Sequence, residues 1–131
     1  MKNQLFDLTK KVSLITGGNG GIGLGMAKGL ASCGSDIAII GRNINKNSKA
    51  KEELSEFDVR VETYSIDVSN EEDVKKAVLN VVNDFGRIDA VFANAGMNLY
   101  GGSFEDMDTD VYRKVLAVNL DGVFFLSLIH I

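Results

Sequence analysis

The stretch "TGGNGGIG", Thr16 to Gly23, holds five glycines in eight residues. Its flanks decide how it is read. Before it stands "VSLIT", Val12 to Thr16, a short apolar run of the kind that forms a buried strand. After it comes "GIGLGMAKGLASCG", with Ile22, Met26, Ala27, Leu30 and Ala31 at helical spacing. Gly34 suits the left-handed residue that follows a helix. A flexible spacer has no such frame, whereas a strand, glycine turn and helix in succession bring backbone to a ligand. The spacing is Gly17-x3-Gly21-x-Gly23. Gly17 takes the tight turn, Gly21 lets a pyrophosphate approach, and Gly23 lets the helix pack closely on the strand. The helix start then offers free N–H groups and a partial positive charge to phosphates. A P-loop is excluded, because Leu24 and Gly25 stand where Lys and Ser/Thr are required. Gly25 and Gly29 lie inside the helix, where each costs about 1 kcal/mol relative to Ala. Close backbone packing is the expected reason for them.

Outward from this point the chain alternates between strand and helix. Asp36 to Gly41, "DIAIIG", reads as a second buried strand. A helix capped by Asn43 or Asn45 follows to about Phe57, with a mostly polar face. Val59 to Asp67 alternates as a third strand, with Val59, Val61, Thr63 and Ser65 on one side. Ser69 or Asn70 caps a third helix, whose stripe is Val74, Ala77, Val78, Val81, Val82 and Phe85 and whose stop is Gly86. Ile88 to Gly96 is the fourth strand and its exit loop. From Asp108 or Thr109 a long helical pattern runs through Val111, Val115, Val118 and Val123. The order β-α-β-α-β-α-β-α predicts an α/β fold, a doubly wound parallel sheet of about four strands and four helices. The near-continuous apolar strands agree with a sheet covered on both faces.

Composition narrows the function. The 131 residues carry a net charge of −4. No basic stripe is present to neutralise a nucleic-acid backbone. Cys33 is the single cysteine and His130 the single histidine, so the sequence holds neither an internal disulfide nor a Cys/His metal site. A reducing, cytoplasmic setting is the expectation, with no metal, no nucleic-acid partner and no membrane span. His130 is expected to have no role.

With these landmarks assembled, the chain resembles the short-chain dehydrogenases/reductases along nearly its whole length. "TGGNGGIG" is similar to the family's Thr-Gly-x3-Gly-x-Gly signature. Asp67, in "IDVS", resembles its adenine-contacting aspartate, although Asp67 also suits capping the next helix. "ANAG", Ala93 to Gly96, resembles its Asn-Asn-Ala-Gly, with Ala93 in place of the first Asn. Asn94 would tether the central sheet, or serve as a turn residue. Asn119, in "LAVNLDGVFF", resembles the catalytic asparagine whose backbone holds a water of the proton relay. The resemblance implies a Rossmann-type domain over residues 1–131. It also implies cofactor contacts by Gly17, Asn19, Gly21, Ile22, Gly23, Arg42, Asn43, Asp67, Val68, Asn94, Ala95 and Gly96.

The end of the second strand bears on the cofactor. NAD binding normally uses an acid there to accept from the ribose hydroxyls. Here Gly41 stands in that position and Arg42 follows. A guanidinium bonds a 2′-phosphate through two donors. NADP(H) is therefore expected, with NAD the alternative, or with Arg42 a solvated loop residue. Replacing Gly41 by Asp and Arg42 by Ala is expected to swing the preference to NAD.

The family reaction is hydride transfer between the nicotinamide and a carbonyl or alcohol carbon. It uses a Tyr-x3-Lys pair and a serine. Four residues after Tyr64, Tyr100 and Tyr112 stand Val68, Phe104 and Leu116, so these residues hold no such pair. The chain is expected to be an N-terminal half that ends within the long helix and is inactive alone. Ser127 to Ile131, "SLIHI", is similar to translated adapter sequence and is expected to be foreign. The fourth strand is expected at an open edge, and "VFFLSLI" on a helix without a partner. The longer chain is expected to act on a small molecule such as a sugar, polyol or 3-oxoacyl compound, as a homodimer or homotetramer. The rival reading is a non-catalytic dinucleotide-binding or redox-sensing module. A methyltransferase-type domain is disfavoured, since it does not predict Asn94 and Asn119. Met97, Leu99 and Tyr100 stand beside the substrate side without an assigned role.

Overall fold

A computed structural model describes residues 4–98 and 102–129. Leu99, Tyr100 and His130 lie outside the described residues. Strand β1 (Val12–Thr16) is the centre of a parallel sheet, with β2 (Asp36–Ile40) on one side and β4 (Ala90–Phe92) on the other. Strand β3 (Val61–Tyr64) pairs with β2, giving the order β3-β2-β1-β4. The helices are α1 (Gly21–Ser32), α2 (Ile44–Leu54), α3 (Glu71–Phe85), α4 (Thr109–Leu116) and α5 (Gly122–Ile129). The sheet is the doubly wound arrangement that the alternating pattern predicts.

Successive residues of β1 feed opposite cores, as the strand period of two requires. Leu14 packs with Val74, Ala77, Val78 and Val81 of α3 and with Leu126 of α5. Ile15 packs with Ala27 and Ala31 of α1 and with Ala50 and Leu54 of α2. Both faces are therefore covered, and β1 is fully buried.

Asn43 caps α2, its Oδ1 accepting from Lys46 N at 2.9 Å. Asn70 rather than Ser69 caps α3, and three acids fill the first turn of that helix. Gly34 and Gly86 take left-handed φ of 95° and 80° at helix ends.

Several expectations need correction. On α1 the buried face is Gly23, Ala27 and Ala31, while Ile22 is 76% exposed and Met26 37%. Small residues form this face because the helix lies close on the sheet. Gly25 and Gly29 are not held by close packing: a Cβ on either would meet nothing within 4 Å. Val82 is also exposed. Helix α2 stops at Leu54, and β3 keeps only Val61–Tyr64 of its predicted span. Strand β4 keeps only Ala90–Phe92 and is half-buried, with the chain irregular from Ala93. The long helix is interrupted by a π-helical turn, Ala117–Asp121, between α4 and α5. Nor does its end lack a partner, since Leu126 is buried against α3.

Candidate functional site

The carboxyl ends of the strands converge on one cleft of about 460 Å3. It lies at the end of β1, where one crossover leads from β1 to β2 on one side and another leads from β3 to β4 on the other. Crossovers diverge at such a point and leave a crevice open to ligands. The glycine loop forms one wall, Ile40 to Asn43 with Lys46 a second, and Ile66 to Val68 a third. Asn94 to Gly96 and Val118 close it.

The glycines divide their work. Gly17 and Gly21 have left-handed φ of 64° and 51°, which side chains resist. Gly23 is fixed by space: a Cβ there would lie 2.2 Å from the Gly17 carbonyl oxygen and 2.6 Å from Asn94 Nδ2. Nothing stands within 4 Å of a Cβ built on Gly20 or Gly21. Helix α1 has no side-chain cap at Gly20, so its first N–H groups are not claimed by one.

Asn94 fastens this loop from the far side of β1. Its Nδ2 donates to the carbonyl oxygens of Thr16 and Gly17 at 3.1 and 3.3 Å. Thr16 Oγ1 in turn accepts from the Asn94 and Ala95 backbone N–H groups at 3.1 and 3.0 Å.

At the end of β2 two cations, Arg42 and Lys46, line the cleft. Ser65 Oγ donates to the Arg42 carbonyl at 3.0 Å and steadies that backbone. Asp67 does not cap α3. Its Oδ1 accepts from Ser69 N and Oγ at 2.9 and 2.8 Å, a local turn that holds Asp67 and Val68 at the cleft wall. Helix α5 begins against this segment, since a Cβ on Gly122 would lie 2.9 Å from Val68 Cγ2.

Every residue expected to contact the cofactor lines this one cleft. Asn119 stands apart from the lining. Its side chain accepts from Met97 N at 2.8 Å and donates to Met97 O at 3.0 Å, tying the π-turn to the chain beyond β4. Gly20, Ile40, Gly41, Lys46, Ile66 and Val118 also line the cleft and were not among the expected contacts. Lys46 stands in the first turn of α2, three positions after the N-cap Asn43, and its place beside Arg42 at a helix start was the available signal. Among the described residues no His, Cys, Asp and Glu group is arranged to hold a metal. None of the described helices is long and apolar enough to cross a membrane.

The family model for short chain dehydrogenases matches residues 11–130. The chain belongs to the short-chain dehydrogenase family. It is 36% identical to the sorbose reductase of Schizosaccharomyces pombe, covering 94% of this chain and 49% of that protein. It is 37% identical to the NADP-dependent mannitol dehydrogenase of Hypocrea jecorina, covering 94% and 47%. Among solved structures, NAD+-bound xylitol dehydrogenase superposes with a TM-score of 0.86 at 38% identity, covering 94% of this chain and 47% of that one. The chain thus spans about half the length of the curated relatives it matches.

Proposed function

We propose that these residues form the NADP(H)-binding portion of a short-chain oxidoreductase. The observation that carries the reading is one cleft joining an uncapped helix start behind a glycine turn to a cationic strand end. The open space beside Gly20 and Gly21 suits a pyrophosphate against backbone. Arg42 and Lys46 at the β2 end suit a 2′-phosphate, and Gly41 brings no carboxylate to repel it. Asp67 and Val68 suit the adenine side, while Asn94, Ala95 and Gly96 form the floor toward the nicotinamide. NAD is the alternative cofactor, as the xylitol dehydrogenase structure illustrates.

When bound, the nicotinamide supplies or takes the hydride. The work of this chain is to hold it. Asn94 keeps the glycine turn closed, and Asn119 keeps the Met97 backbone against the π-turn. The named relatives act on sorbose and mannitol. A sugar or polyol is therefore the favoured substrate class, with a 3-oxoacyl compound second. The 131 residues contain no Tyr-x3-Lys pair, so turnover is assigned to a chain that supplies it. That absence is also what favours a non-catalytic dinucleotide-binding module as the second reading. The exposed Tyr112, Leu120 and Phe124 support a homodimer or homotetramer. Free Cys33 suits a reducing cytoplasm.

Calorimetric titration with NADPH and NADH tests the cofactor reading. Tighter binding of NADPH than of NADH, with no NADPH-dependent reduction of sorbose, is expected from these 131 residues. Failure to bind either dinucleotide would overturn it. A downstream reading frame carrying Ser and Tyr-x3-Lys separates the enzyme from the non-catalytic module.

A further inference from the structure

Asn47 is a polar residue on the buried face of α2, only 2% exposed. Both ends of its amide are engaged. Nδ2 donates to the Gly41 carbonyl at 2.9 Å, and Oδ1 accepts from Asn19 Nδ2 at 2.7 Å. One buried amide thus ties the glycine loop to the end of β2. It also holds the Asn19 side chain over Gly41. A Cβ on residue 41 would lie 2.3 Å from Asn19 Nδ2 and 2.6 Å from Asn47 Oδ1. Gly41 is not among the glycines with positive φ, so its backbone accepts any residue and space alone excludes a side chain.

The geometry points to Asn47 as a specificity-determining positioning residue. By pinning Asn19 over Gly41, it keeps the end of β2 bare and excludes the carboxylate that would select NAD. This rests on the dinucleotide reading above and adds a condition to it. Gly41→Asp cannot convert the cofactor preference while the Asn19–Asn47 pair is in place. Asn47 is also the side chain that fits this junction, because Asp there would turn an acceptor toward the Gly41 carbonyl. Releasing the pair frees Asn19, whose side chain has no other hydrogen bond among the described residues, to swing away.

The test measures Kd for NADPH and NADH by calorimetry on the full chain and its variants. Gly41→Asp alone should weaken both cofactors without reversing their order. Gly41→Asp with Asn47→Ala should move the Kd ratio toward NADH by at least about tenfold relative to Gly41→Asp. Gly41→Asp with Asn19→Ala leaves the buried amide in place and should give a smaller shift in the same direction. A cofactor-free readout accompanies these. Gly41→Ala should lower Tm in the parent chain and lower it less in the Asn19→Ala background. Equal Tm losses would overturn the lock. So would a Gly41→Asp variant that prefers NADH unaided, and that result would leave the NADP(H) reading standing. A parent chain that binds neither dinucleotide overturns both.

Discussion

Asn94 and Gly17 are joined by a 3.3 Å hydrogen bond from the Asn94 side-chain amide to the Gly17 carbonyl. The same amide group donates to Thr16 O at 3.1 Å. The first turn of the glycine loop is therefore closed by a residue from the segment that follows β4. Gly17 has a left-handed φ and little intrinsic preference for this one conformation, so the clamp selects it. Asn94→Asp replaces the donors with an acceptor facing two carbonyl oxygens. We expect a loss of about 1–3 kcal/mol in urea unfolding. NADPH affinity should fall at least about tenfold. Asn94→Ala should lose less, because it leaves an absent donor rather than a repulsive acceptor. Parent-like affinity in Asn94→Asp would show that the loop keeps its shape unaided.

The α1 glycines should divide sharply. Gly23→Ala sets a methyl group 2.2 Å from the Gly17 oxygen, against backbone that cannot yield cheaply. It should destabilise the chain and abolish NADPH binding. Gly25 and Gly29 are exposed, with open space around a Cβ. Gly25→Ala and Gly29→Ala should each stabilise by about 0.5–1 kcal/mol through helix propensity. Thermal unfolding of the three variants distinguishes the roles. A stabilising Gly23→Ala would contradict the close approach.

Arg42 and Lys46 should act on NADPH alone. Arg42→Ala removes a charge-assisted contact of about 1.5–3 kcal/mol, or about ten- to a hundredfold in Kd. Lys46→Ala, a point charge rather than a fork, should cost less. NADH affinity should hardly change in either variant. Rising salt should narrow the gap between parent and variants, because the cleft is open to screening ions. Equal losses for NADPH and NADH would remove the 2′-phosphate assignment.

A pH dependence is expected at the base of the sheet. Arg87 donates to both oxygens of Asp89, at 2.8 and 2.6 Å, and Val12 N donates to one of them at 2.9 Å. The Arg87 guanidinium, with smaller help from Val12 and Lys11 against the opposing effect of burial, holds the Asp89 carboxyl down from 3.8 to about 2. A lowered folded-state pKa means that the ionised form stabilises the fold. That contribution is complete above pH 3.8 and is lost as pH falls through about 2. Asp89→Asn should flatten this acid limb of the Tm profile. An unchanged limb would place the acid sensitivity elsewhere.

Much of the site is legible in the chain because it is carried by local chemistry. Gly17, Gly21 and Gly23 stand between an apolar strand and a small-faced helix, and each is constrained as that setting requires. Asn70 and Gly86 bracket α3 for reasons confined to one turn. Asn47 is different. It sits among polar neighbours, and its alignment with buried Ala50 and Leu54 was the faint sign that it faces inward. Lys46 became part of the cleft only because α2 starts beside Arg42.

By itself the sequence determined the strand–helix alternation, the glycine turn and the bare end of β2, because hydrophobic period, capping and φ preference act over a few residues. Only the tertiary structure decided what encloses them. It set Asn94 against Gly17 across 77 residues and Asn19 against Asn47 across 28. Parallel pairing of β4 beside β1 brings the first pair together, and docking α2 against the end of β2 brings the second. Such contacts are selected by the packed sheet, whose register no short stretch of chain encodes.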